Sequence, residues 1–477
     1  MKLTLEQIAR WSASEIHGAA AQGEAAAATG YSIDSRTLRP GDLFFAICGE
    51  RLDGHNFVDA ALERGACAAV VSREWFARSV AALAKGGAHR VLLAADDPLA
   101  ALQRLAAAVR RHWGKRLVGI TGSAGKTTTK EAVAAVLAAR FRVLKSQGNL
   151  NNGYGLPLQL LRLDSEDDVA VIEMGMSAAG EIAALCRIAA PDWGVVTNVG
   201  HAHTEFFPDG VAGIARAKYE LVAALPRHGV AFLNCDDAYV SQFGRDFEGK
   251  VVYYGRGPCG DPHAENVQPL GAQGLRMQVR AGEQQYSLHL HLPGEHNAAN
   301  ALAAIAVGVE AGLPLAACCA ALEAMRPEDK RGQVVELCGA TIINDAYNSN
   351  PEALKSMIAM LAGVPAKRRI LVAGEMLELG READALHAGC GRMAALAGIN
   401  IVMGVRGHAR EIVKAAREGG AEALFVETPE EAGAWLRENL QPGDAVLLKA
   451  SRGVRLERAL GVFAAGEKEK DPAGSAG

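Results

Sequence analysis

The segment Val118-Gly-Ile-Thr-Gly-Ser-Ala-Gly-Lys-Thr-Thr-Thr-Lys-Glu131 constrains this chain more than any other. A β-branched run from Leu117 to Thr121 predicts a strand. Glycines then turn the chain, and Gly125-Lys126-Thr127 opens a helix predicted to run through Ala139. Without side chains, the glycines let backbone N–H groups approach phosphate oxygens, and the helix start adds a positive dipole end. Thr121, Gly122, Ser123, Ala124, Gly125, Lys126, Thr127 and Thr128 are therefore candidates to hold ATP. Lys126 can reach the β- and γ-phosphates, and the Thr127 hydroxyl can ligate Mg²⁺. The loop is irregular, because Ile120 stands where the strict pattern has a glycine five residues before Gly125.

A chain of 477 residues exceeds one core and suggests about three domains. Strands and helices alternate from 116 to about 312, with strands at Val169–Ile172 and Gly194–Val199 and helices at 180–190 and 210–225. This predicts parallel strands joined by crossover helices. The fold class is α/β: a small α/β N-terminal domain over 1–97, a central P-loop ATPase-like parallel-sheet domain over 98–312, and a Rossmann-like C-terminal domain over 313–465. The segment Ala311-Gly312-Leu313-Pro314 reads as the second linker, and the polar, Pro/Gly/Ser-rich end 466–477 as a disordered tail.

A net charge of −4 argues against a general nucleic-acid binder, so an anionic substrate must be met by local Lys and Arg. The nine cysteines show neither CxxC pairs nor zinc spacing and read as reduced thiols of a cytoplasmic protein. Residues 1–11 lack an apolar signal core, and Thr4 with Gln7 suggests a helix capping box. No apolar run reaches about 18 residues, which excludes a helical membrane span.

Other polar groups stand at strand ends, where open α/β sheets bind ligands. Gly148-Asn-Leu-Asn-Asn-Gly-Tyr-Gly-Leu-Pro157 is a turn-rich loop able to offer amides to a ligand, or simply a surface turn. Glu173 ends a buried strand beside the phosphate loop and suits Mg²⁺, although a solvated strand-end acid reads the same way. His203 closes Thr197-Asn-Val-Gly-His-Ala-His203, and histidine is an unusual magnesium ligand. Lys218, on a helix, is by chemistry alone a solvated cation. Asn297 and Asn300 lie three apart on one helix face, fit either to read an adenine edge or to cap. Asp345 suits a ribose hydroxyl, and Arg331 a γ-phosphate.

Taken in order, these pieces carry more than they do singly. TGSxGKTTTKE, GNLNNxxGLP, EMG, NxxxxH, a lysine fifteen residues on, GEHNxxNALAA and INDAYNSNP resemble the Mur ligases, ATP-dependent amide-forming enzymes of peptidoglycan synthesis in bacterial cell-wall biogenesis. The resemblance spans roughly residues 30 to 460. INDAYNSNP (343–351), GEMLELG (374–380) with His387 after it, and Ala202-His-Thr-Glu205 point to the branch that adds D-alanyl-D-alanine. The Asp-Asn-Pro-Arg motif of the diaminopimelate-adding sister is absent.

The resemblance implies that the loop and two Mg²⁺ ions hold ATP, with Thr127, Glu173, His203 and a carbamoylated Lys218 as metal ligands. It places Asn297 and Asn300 at adenine, Arg331 at the γ-phosphate and Asp345 at ribose. Lys126, Lys218 and His203 become the catalytic set. Asp34, Ser35 and Arg36, with Asp53-Gly-His-Asn-Phe57, resemble the domain that binds the UDP end of the sugar-peptide. The implied partners are UDP-N-acetylmuramoyl-tripeptide and D-alanyl-D-alanine, handled by a cytoplasmic monomer whose product serves cell shape and division.

Two departures stand out: Lys330 where the family commonly has glycine, and Ala450 within Lys449-Ala-Ser-Arg452 in place of Lys-Gly-Ser-Arg. The outer domains are expected to close on the central one about hinges near 98–114 and 311–314. Rival readings are the tripeptide-forming sister, a folylpolyglutamate synthetase, a small-molecule kinase and a non-catalytic nucleotide-binding module.

Overall fold

The computed structural model describes residues 1–18, 27–83 and 90–463; the expected tail 466–477 lies outside them. The predicted phosphate-loop strand forms as Arg116–Thr121 near the middle of a six-stranded sheet. Across the sheet the strands run Lys250–Tyr254, Val230–Asn234, Trp193–Val196, Arg116–Thr121, Val169–Glu173 and Val143–Lys145, every pair parallel. From Arg116–Thr121 the chain goes first to the far edge and later returns on the other side. That switch opens a crevice at the carboxyl ends of the central strands. Glu173, Val196 and Thr121 all end there.

The alternation is interrupted once. A three-stranded antiparallel sheet, His263–Pro269, Leu275–Ala281 and Gln284–Leu290, precedes the helix His296–Glu310.

The N-terminal unit has a five-stranded sheet with Glu15–His17 antiparallel at one edge, then Leu92–Ala95, Ala68–Ser72, Asp42–Phe45 and Gly30–Ser32 in parallel. Thr4 and Gln7 form the expected capping box at the helix Leu5–Ser12. The stretch 98–114, near which a hinge is expected, holds one continuous helix, Pro98–Trp113, capped by Asp97 at one end and by Gly114 at φ +66° at the other. Its Leu102, Leu105 and Val109 share one core with Leu5 and Ile8 on one side and Leu160 and Leu185 on the other. Each such side chain contributes about 1.5–3 kcal/mol on burial, which opposes bending there.

The segment 311–314 differs from its expected role as a linker. It joins His296–Glu310 to a second helix, Leu315–Glu323, and both pack on the loop helix Lys126–Ala138. Leu313, Cys318 and Leu322 belong to the same core as Val133 and Val136. The chain leaves this body only through residues 324–332, which form neither helix nor strand.

In the C-terminal unit, five strands pair in parallel in the order Ala340–Asp345, Asp444–Lys449, Arg368–Gly374, Ile401–Val405 and Glu422–Val426. An antiparallel edge strand, Gln333–Leu337, is added to them. The two departures noted above have local explanations. Lys330 adopts φ +62°, the region glycine favours. Ala450 is fully buried where a Cβ on Gly374 would come within 2.5 Å of its methyl, so its extra carbon fits because position 374 has none.

The expectation of reduced thiols fails for one pair, since Cys235 and Cys259 form a disulfide. Pairing of the Val230–Asn234 and Lys250–Tyr254 strands brings the two chain segments together, a proximity invisible in a separation of 24 residues. No helix among the described residues is long and apolar enough to cross a membrane.

Candidate active site

One cavity of about 1660 Å³ lies between the central and C-terminal units. It is lined by Ser123 through Thr128, Glu173, His203, Asn297, Asn300, Arg331 and Asp345, so most of the sequence-derived candidates converge. Thr121, Gly122 and Lys218 stand outside its lining, as do Asp34, Ser35 and Arg36 in the N-terminal unit.

The phosphate loop is held from beneath by the next strand end. Ser123 N–H donates to the Asn198 carbonyl at 3.0 Å and Ala124 N–H to Asn198 Oδ1 at 2.8 Å, while Thr197 Oγ1 donates to the Ala124 carbonyl at 2.7 Å. Gly122, at φ +153°, passes so close to Thr197 that a Cβ would lie 1.8 Å from its hydroxyl oxygen. The loop helix then starts at Lys126, and the N–H groups of its first turn have no carbonyl a turn earlier to bond. Lys126 Nζ folds back onto the Gly122 carbonyl at 2.8 Å. Burial holds its amine below the ordinary lysine range, with Glu173 opposing that shift and Arg331 reinforcing it. Thr121 sits behind the loop, its hydroxyl donating to the Met174 carbonyl at 3.0 Å.

Glu173 is 4 % exposed and accepts from Thr127 Oγ1 at 2.8 Å and Asn151 Nδ2 at 2.8 Å. The asparagine-rich loop 148–157 therefore braces this carboxylate through Asn151 and lines the cavity with Asn149, Asn151 and Asn152. Thr127 Oγ1 and the Glu173 carboxylate together give adjacent hard oxygen donors beside the phosphate loop, the donor set a divalent cation such as Mg²⁺ selects.

Lys218 is not the solvated cation its helix position suggests. It is 2 % exposed, and burial, then the positive Lys126, lower its pKa well below the ordinary value. Among the described residues no hydrogen bond or ion pair reaches its amine.

Asn297 and Asn300 are joined in a chain. Asn297 Nδ2 donates to the Pro293 carbonyl (2.8 Å), Asn300 Nδ2 to Asn297 Oδ1 (2.9 Å), and Thr129 Oγ1 to Asn300 Oδ1 (3.1 Å). Asn300 thus supports the loop helix as well as lining the cavity. Asp345 pairs with Lys449, which also donates to the Asn348 carbonyl at 3.0 Å, and Arg331 stacks on the Tyr347 ring at 3.8 Å. Lys449, Tyr347, Asn198 and Asn151 were not singled out by sequence reasoning, although each lies within or beside a quoted motif.

Two further motif residues are structural braces. His55 is buried, its Nδ1 2.7 Å from Asp53 Oδ1 and its Nε2 accepting the Ser72 N–H at 2.9 Å. His387 is buried in the C-terminal unit, accepting the Met376 N–H at Nε2 (2.9 Å) with Nδ1 on the Ala383 carbonyl (2.6 Å). In the N-terminal unit, Asp34 grips the exposed Arg36 through Nε at 3.0 Å and Nη2 at 2.8 Å.

Three family models match the chain: the Mur ligase middle domain over residues 120–308, the Mur ligase glutamate ligase domain over 330–452, and the Mur ligase family catalytic domain over 27–111. The chain is 35% identical over 433 residues to the UDP-N-acetylmuramoyl-tripeptide–D-alanyl-D-alanine ligase of Bacillus subtilis, covering 90% of this chain and 91% of that one. It is 36% identical over 377 residues to the ligase of the same name from Escherichia coli, covering 78% and 80%. A crystal structure of MurF from Acinetobacter baumannii superposes with a TM-score of 0.86 at 28% identity, over 97% of this chain and 99% of that one. MurF from Thermotoga maritima in complex with ADP gives a TM-score of 0.79 at 28% identity, over 92% and 98%.

Proposed function

The chain belongs to the Mur ligase family, and on that premise we propose that it joins D-alanyl-D-alanine to UDP-N-acetylmuramoyl-tripeptide with ATP, for peptidoglycan synthesis. The observation that carries this reading is that cavity, in which a phosphate loop from one unit faces the Asp345–Asn350 and Lys449–Arg452 segments of another. An amide ligase needs that arrangement, because an activated acyl group and an incoming amine must meet away from water. The near-full-length relatives carry the D-alanyl-D-alanine name, so the diamino-acid-adding alternative is not favoured.

In this reading the terminal carboxylate of the peptide attacks the γ-phosphorus of ATP, giving an acyl phosphate and ADP. The dipeptide amine then attacks the acyl carbon, and phosphate leaves as the amide forms. The first-turn N–H groups and Lys126 hold the phosphates, Arg331 offers positive charge to the γ-phosphate, and Asp345 faces the ribose. Asn297 and Asn300 border the adenine while bracing the loop. Thr127, Glu173, His203 and Lys218 would hold Mg²⁺, which when bound neutralises charge on the transferring phosphoryl group.

The buried, unpaired Lys218 supports carbamoylation: a neutral amine adds to CO₂, releases a proton and becomes an anionic oxygen ligand. Asp34, Ser35 and Arg36 would meet the UDP end of the sugar-peptide. In this reading the chain acts as a cytoplasmic monomer on its nucleotide-linked substrates.

Phosphate release tests the reading. With ATP, Mg²⁺ and UDP-N-acetylmuramoyl-tripeptide, release should depend on D-alanyl-D-alanine and vanish in Lys126→Ala. Release that instead requires a free diamino acid and the dipeptide precursor would move the chain to the sister activity.

A further inference from the structure

We propose that Glu378, in the C-terminal unit, is a positioning residue that orients the imidazole of His203 across the domain interface, so that metal binding and docking of the two units become one event. The proposal rests on the reading of His203 as a metal ligand.

His203 Nδ1 is hydrogen-bonded to the Glu378 carboxylate, 175 residues away in sequence. The histidine lines the cavity and the glutamate does not. The carboxylate therefore holds the ring from outside, and Nε2 is the ring nitrogen left without a protein partner among the described residues. A carboxylate accepting Nδ1–H fixes the tautomer whose other nitrogen carries a lone pair, as metal-ligating histidines require.

Backbone strain supplies a second observation. His203 adopts φ +68° and Glu378 φ +65°, both in the left-handed region that non-glycine residues avoid. Two such residues meeting across one interface suggest selected geometry rather than a chance surface ion pair. The surrounding contacts enforce it. Glu205 N–H donates to the Glu378 carbonyl at 3.2 Å, and Thr204 Oγ1 to the Leu379 carbonyl at 3.3 Å. On the far side, His387 and Ser451 accept the Met376 and Leu377 N–H groups at 2.9 and 3.0 Å, fixing the chain just before Glu378.

A neighbouring pair provides the control. His201 bonds Glu352 across the same interface, so Glu352→Ala removes a comparable tie without touching His203. Mn²⁺ binding to the full chain in the presence of ADP, followed by electron paramagnetic resonance, is the readout, with thermal unfolding checking that each variant is folded. Glu378→Ala should weaken Mn²⁺ binding by about 10–100-fold, the usual effect of losing an outer partner of a metal ligand. Glu378→Gln, whose amide oxygen can still accept from Nδ1–H, should recover part of the loss, and Glu352→Ala should bind close to wild type.

Wild-type binding in Glu378→Ala would overturn the proposal, as would equal losses in Glu378→Ala and Glu352→Ala, which would make Glu378 a docking contact only. If His203→Ala also bound Mn²⁺ like wild type, the reading of His203 as a ligand would fall, and the proposal with it.

Discussion

Replacing Gly122 by alanine would drive a methyl group into Thr197. The new Cβ would sit 1.8 Å from Thr197 Oγ1, 3.1 Å from Thr197 Cβ and 3.3 Å from the Asn198 backbone nitrogen. Thr197 is β-branched and buried, and its hydroxyl is held by the Ala124 carbonyl at 2.7 Å, so it has little freedom to turn aside. Holding a non-glycine residue at φ +153° costs about 1–3 kcal/mol, and overpacking adds about 1–3 kcal/mol. The loop escapes both by leaving its phosphate-binding shape, so the penalty appears as lost nucleotide affinity. Even the lower total, about 2 kcal/mol, weakens ADP binding by about 30-fold.

Thr197→Ala alone loses one buried hydrogen bond, about 0.5–1.5 kcal/mol. Combined with Gly122→Ala it removes the nearest clashing atom, so the double variant should bind ADP more tightly than the sum of single effects allows, by about 1–3 kcal/mol. Calorimetric titration of ADP into the four proteins measures this coupling. Additive losses would refute the steric argument, and wild-type affinity in Gly122→Ala would refute the loop geometry itself.

Because the Lys218 amine has its pKa lowered in the folded chain, the unfolded chain binds the extra proton. Without bicarbonate, stability should therefore rise as pH increases toward the ordinary lysine value near 10.4. Melting curves should lose that slope in Lys218→Met; an unchanged slope would mean another group sets it. Lys330→Gly relieves the φ +62° strain at the loss of weak ion pairs with Asp329 and Glu457, and should stabilise the C-terminal unit by up to about 1 kcal/mol. Lys330→Ala keeps the strain, so a melting temperature equal to that of Lys330→Gly would refute the explanation.

Much of the fold was legible because it is written in local chemistry. The apolar runs at 117–121, 169–173 and 445–449 are long enough to specify buried strands, and a glycine turn before Lys126 needs no distant partner to form. The Thr4 capping box is equally local. The misreadings came where local signals and packing disagree. Gly312-Leu313-Pro314 has the composition of a linker, yet Leu313, Cys318 and Leu322 bury against Val133 and Val136. Gln333–Leu337 is a half-buried edge strand without the continuous apolar run of its neighbours.

By itself, then, the sequence determined the phosphate loop, the parallel sheets around it and a polar subset of the residues that line the cavity, since these depend on the order of residues along short stretches. Only the tertiary structure decided what those residues touch. It turned Asn300 into a support beneath the loop helix, sealed Lys218 away from water, joined Cys235 to Cys259 and placed Glu378 against His203. Each of those outcomes depends on segments far apart in the chain meeting at ångström distances. No local pattern encodes such distances, because they arise from how whole sheets and helices pack.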